Sequence, residues 1–75
     1  MLKDNPLTQR LKNSLEIAWK EKWNPHKFDG ENYYLWLPAF HDKKRVEGTA
    51  TRARYVGYKA RVIEVKDGYE VYIRK

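Results

Sequence analysis

Apolar residues in the first third of the chain recur at three- and four-residue steps. Leu7, Leu11, Leu15, Ala18, Trp19 and Trp23 therefore share one side of an α-helix. Asn5 before Pro6 supplies the start: asparagine caps free N–H groups, and proline at the first helical position has none to lose. Asn24-Pro25 supplies the stop, because asparagine tolerates a left-handed cap and proline cannot continue the ladder. The pattern predicts a helix over residues 6–23, with Arg10, Asn13, Lys20 and a misplaced Ile17 on its outer side.

Residues 24–32 contain Pro25, Asp29 and Gly30 and read as a loop. Tyr33-Tyr34-Leu35-Trp36-Leu37, bounded by Asn32 and Pro38, is aromatic, short and strand-like. Alternation sends Tyr33, Leu35 and Leu37 to one face and Tyr34 and Trp36 to the other. At the C-terminal end, Lys66-Asp67-Gly68 separates two β-rich runs and predicts a hairpin. A three-residue loop opposes Val65 to Tyr69 and Ile63 to Val71, which gathers Ile63, Val65, Tyr69, Val71 and Ile73 on one face. Val62, Glu64, Glu70, Tyr72 and Arg74 then share the other.

Between these parts, Thr49 to Tyr58 reads as a further strand. Carrying the hairpin's core face backwards would bury Lys59 and Arg61, so a bulge or bend is expected near Gly57. The polar stretch from Pro38 to Gly48 reads as an exposed connection or a short helical turn ending at Gly48. The expected fold is α+β: one N-terminal amphipathic helix packed on a three- or four-stranded antiparallel sheet, in a single small domain spanning residues 1–75. Leu11, Leu15 and Trp19 should meet Leu35, Ile63 and Val71, which leaves the second sheet face open.

Composition narrows what such a fold could do. The chain has 75 residues and no cysteine, which excludes disulfides and thiolate metal sites. Mean hydropathy is -0.95. No apolar run approaches the roughly 20 residues needed to span a bilayer, and residues 1–10 carry no leader-like apolar segment, so an intracellular, cytoplasmic protein with no membrane partner is expected. The net charge of +6 is unevenly distributed. Residues 1–42 hold six basic and six acidic residues, whereas residues 43–75 hold ten and four. Lys43, Lys44, Arg45, Arg52, Arg54, Lys59 and Arg61 face only Glu47 within their stretch. Such asymmetry between halves points to a polyanionic partner.

Tyr55 and Tyr58 interleave with that basic set, and phosphate-tracking cations beside flat rings suit a nucleic acid. The expected interface, DNA or RNA, is Lys43, Lys44, Arg45, Arg52, Arg54, Tyr55, Tyr58, Lys59 and Arg61. Arg52 and Arg54 would project together from a strand. No helix-turn-helix, RNP-type, GXXG or zinc-finger motif accompanies them. Two other readings stay open. An aromatic open face of Tyr34, Trp36, Val62 and Tyr72, with Ile17 on the helix, would suit a protein partner, a homodimer or an inhibitory contact. His41, Glu47 and Arg52 or Arg54 could cleave RNA by general acid–base chemistry without a cofactor. Ser14 is the sole serine, which leaves covalent catalysis without support. His26 and His41 with Asp29 or Asp42 match no familiar metal spacing, so neither metal nor cofactor is expected.

Overall fold

The computed structural model describes residues 6–75. Helix α1 runs Pro6–Glu21 and buries Leu15 completely, with Leu11, Ala18 and Trp19 packed around it. Full burial of one leucine contributes about 2 kcal/mol. The cap expected at Asn5 and the side chain of Leu7 lie outside the described residues. The helix stops two residues early, because the left-handed position is Lys22 (φ 53). Its N–H still reaches the Ala18 carbonyl at 3.1 Å, and its ammonium sits 3.5 Å from the Trp19 ring centroid. Asn24 (φ 46) turns the chain again. Trp23 therefore falls outside the helix and is 63% exposed.

The segment expected as a loop holds strand β1 (His26–Phe28), which pairs with β2 (Glu31–Phe40). Phe28 opposes Glu31, and the two residues between, Asp29 (φ 51) and Gly30 (φ 81), both take positive φ. This is the type I′ turn that Asp-Gly favours. Strand β2 is twice as long as the aromatic run suggested. It pairs antiparallel with the last strand, with register shifts between Leu35 and Leu37 and between Leu37 and Phe40.

The expected strand from Thr49 to Tyr58 is instead the body of helix α2 (Lys43–Tyr55). Val46, Ala50 and Ala53 bury one face at helical spacing. Strands β3 (Lys59–Val65) and β4 (Gly68–Arg74) complete an antiparallel sheet ordered β1-β2-β4-β3. The α+β expectation holds, with a second helix added. Leu15 of α1 and Val46, Ala50 and Ala53 of α2 share one core with Ala60, Val71 and Ile73 of the sheet.

The final hairpin has a different register from the expected one. Val65 opposes Gly68, Glu64 opposes Tyr69 and Val62 opposes Val71. Val62 therefore faces the helices, while Ile63 and Val65 join Tyr72 on the other side. Burial could not select the register, because both faces carry apolar side chains. Gly68 does constrain it: at φ 135, a Cβ there would run into the Phe40 carbonyl oxygen. The face expected to stay open is partly closed by β1. His26 stacks on Phe28 at 4.7 Å, and both rings contact Tyr72, which is only 2% exposed. No helix among the described residues is long and apolar enough to cross a membrane.

Candidate nucleic-acid interface

Helix α2 begins where the Asp42 carboxylate accepts hydrogen bonds from the backbone N–H groups of Lys44 (3.0 Å) and Arg45 (3.4 Å). That is an N-cap, and it satisfies donors that a helix cannot pair internally. The helix closes through Gly57 (φ 103), whose N–H reaches the Arg54 carbonyl at 3.1 Å. Because Val46, Ala50 and Ala53 face the sheet, Lys44, Gly48, Arg52 and Tyr55 line the opposite face at three- and four-residue steps. Arg45 and Thr49 flank them. Together with Phe40, His41 and Asp42, all of these residues except Tyr55 border a groove of about 750 Å³. The Lys66-Asp67 turn lies at the same end, since Gly68 seats against Phe40 and His41.

The nine expected contact residues divide into two groups. Lys44, Arg45 and Arg52 share the groove. Lys43 belongs to the same helix, and Tyr55 is 69% exposed on it. Arg52 and Arg54 do not project together, because two residues along a helix turn a side chain to nearly the opposite side. Arg54 instead donates from Nη2 to the Ala60 carbonyl at 2.8 Å. Tyr58 is buried in the core, and among the described residues its hydroxyl has no hydrogen-bond partner. Burial, followed by the nearby Glu16 charge, raises its pKa.

Lys59 and Arg61 are turned away from the groove toward the β1–β2 hairpin. Lys59 pairs with Glu31 at 3.2 Å, and Arg74 binds the same carboxylate at 3.3 Å. Arg61 pairs with Asp29 and lies over the Phe28 and Tyr33 rings, 5.5 and 6.0 Å from their centroids. The Tyr33 hydroxyl, and after it the Asp29 charge, hold its guanidinium still more firmly protonated.

The expected aromatic face is dispersed. Tyr34 meets Trp19 edge-on at 5.5 Å, and Trp36 donates from Nε1 to the Ser14 hydroxyl at 2.9 Å, so both lie beneath α1. Val62 packs against the core from the helix side, whereas Tyr72 is buried on the other. Tyr72 accepts from Asn24 at 2.9 Å and donates to Glu70 at 3.0 Å. Ile17 is exposed, as expected, and shares a second groove of about 320 Å³ with Trp23, Trp36 and Pro38. His41 and Arg52 border one groove, but Glu47 lies on the far flank of α2 with Lys43 and Arg54, so the expected acid–base trio does not assemble. Among the described residues, no group of three or more histidines and carboxylates could hold a metal.

Sequence reasoning missed Gly48 and Thr49 as groove residues and Asp42 as a cap. The available signal was Asp42 ahead of Val46, Ala50 and Ala53 at steps of four and three. No protein-family model matches the chain, and no curated protein or solved structure is significantly similar to it.

Proposed function

We propose that this protein binds nucleic acid through the exposed face of α2, without catalysis and without a cofactor. One observation carries the reading. Among the described residues, Lys43, Lys44, Arg45 and Arg52 have no anionic partner, whereas Lys59, Arg61 and Arg74 have one each. Three of those unpaired cations occupy the first turn of α2, which itself contains no acidic residue; the capping Asp42 bonds backbone N–H groups there and no cationic side chain. Cations there oppose the helix dipole, so their placement costs helix stability rather than adding to it. Phosphates would neutralise them and release counterions, which makes affinity fall with salt.

The test is anisotropy of labelled single-stranded RNA, single-stranded DNA and duplex DNA at about 50 and 200 mM salt. Sub-micromolar binding of at least one ligand that survives the higher salt and is lost in Arg45→Glu/Arg52→Glu supports the reading. Uniformly weak binding, or binding indifferent to that reversal, overturns it.

A second reading draws on the other groove, where Ile17 is 57% and Trp23 63% exposed. Exposed apolar side chains beside Trp36 suit a protein contact, including self-association. Sedimentation should then show an oligomer that Ile17→Asp/Trp23→Ala dissolves; a monomer at all accessible concentrations sinks homodimerisation.

A further inference from the structure

Nothing among the described residues accounts for glycine at position 48. It lies in the interior of α2, and a Cβ there would meet no atom within 4 Å. Its φ is not in the left-handed region that favours glycine. Glycine in a helix interior costs roughly 1 kcal/mol relative to alanine. This position is also one turn after Lys44 and one turn before Arg52, on the face turned away from the sheet. Lacking a side chain, Gly48 lowers the helix surface between two cations and opens the backbone to close approach from outside.

The shape of that face selects among ligands. At about 1.5 Å per residue, α2 is a rod roughly 20 Å long, and its outer face borders the groove shared with Phe40, His41 and Asp42. A single strand needs successive flat rings on which to stack its bases. Here Tyr33, Tyr58 and Tyr72 are buried, and Tyr34 and Trp36 lie under α1, so along α2 itself only Tyr55 offers a ring, with Phe40 and His41 at the border of the groove rather than in a row along it. The major groove of B-form DNA, about 12 Å wide, admits an α-helix. The major groove of duplex RNA is too deep and narrow.

Building on the proposed nucleic-acid function, we infer that α2 enters the major groove of duplex DNA with Gly48 at the point of closest approach. Lys44 and Arg52 reach base edges from either side of it, and Arg45 contacts a bordering phosphate.

The experiment compares wild type, Gly48→Leu and Arg45→Glu/Arg52→Glu on matched duplex DNA, duplex RNA and single-stranded DNA, with thermal melting in parallel. Duplex DNA should bind at least about tenfold more tightly than either alternative, a preference of about 1.4 kcal/mol. It should still bind when saturated with a minor-groove dye. Gly48→Leu should match or exceed the wild-type melting temperature, since leucine is the better helix former, yet lose about tenfold in duplex-DNA affinity. A purely structural glycine would leave affinity unchanged.

If charge reversal abolishes binding but Gly48→Leu does not weaken it, or if single strands or duplex RNA bind equally well, the major-groove assignment falls while the α2 interface stands. If charge reversal leaves binding intact, or no oligonucleotide binds above salt-sensitive background, the underlying function falls as well.

Discussion

Helix α2 and strand β3 are neighbours in sequence and both are rich in cations, yet the fold treats them oppositely. On α2, Lys43, Lys44, Arg45 and Arg52 find no acid among the described residues, whereas on β3, Lys59 and Arg61 are matched by Glu31 and Asp29. Those acids come from the N-terminal part of the chain, whose charges sum to zero, and the β1–β2 hairpin carries them onto the basic part. Net charge thus states only by how many the cations of a chain outnumber its acids. Topology decides which of them remain available to a partner.

The comparison is broken or sharpened most forcefully by charge reversal. Arg45→Glu/Arg52→Glu should weaken nucleic-acid binding by ~100-fold, if each contact contributes about 1–3 kcal/mol. Lys59→Glu/Arg61→Glu changes net charge equally and should weaken binding by less than about threefold, because those cations are already engaged. Equal losses in the two variants, measured by anisotropy at one salt concentration, would erase the distinction between the regions.

The buried tyrosines beneath them provide the next largest effect. Tyr72→Phe removes a hydroxyl that bonds Asn24 and Glu70 and should cost about 1–2 kcal/mol in denaturant melts. Tyr58→Phe removes a buried hydroxyl with no partner among the described residues and should stabilise by roughly 1 kcal/mol. Neither change should alter binding.

Alkaline titration probes the same pair. Burial raises both phenol pKa values, and for Tyr72 the hydrogen bond to Glu70 adds to it. The folded value exceeds the unfolded one, so the stabilisation is complete below about pH 10 and is lost as pH climbs through the folded value. Tyr58→Phe should flatten that alkaline loss; an unchanged profile would mean that Tyr58 does not contribute to it.

Asp42→Ala separates stability from binding. Losing the cap should cost about 1 kcal/mol. The same change removes an acid from the groove, so affinity should rise about twofold. A fall in affinity would show that helix order matters more than local charge. The smallest effect belongs to Lys59→Gln, which should shift stability by no more than about 0.5 kcal/mol, as exposed ion pairs do.

Helix α1 was legible because large apolar residues repeat along it. Helix α2 was not: its buried face rests on two alanines and one valine, while Thr49, Thr51 and Tyr55 mimic strand composition and Gly48 mimics a stop. The β1–β2 hairpin hid because His26-Lys27-Phe28 is too short to alternate, although Asp29-Gly30 was in plain view. The final hairpin's existence was readable and its register was not, since Ile63 and Val62 are equally apolar and lie on opposite faces. For the site, the abundance of cations could be counted. Their availability depends on partners as distant as Asp29 from Arg61, 32 residues away, and no local pattern encodes that.

The turn at Asp29-Gly30 has a kinetic consequence. It holds Asp29 and Glu31 where β3 begins and β4 ends, at the far end of those strands from the Lys66-Asp67 turn, while uncompensated positive charge gathers along α2. Paired cations at that end and unpaired ones along α2 make the positive potential uneven over the surface. If the proposed partner is a polyanion, its field would turn α2 toward it before contact. Neutralising the acids with Asp29→Asn/Glu31→Gln would raise the net charge yet weaken that torque. More encounters would follow, and a smaller share of them would be correctly oriented.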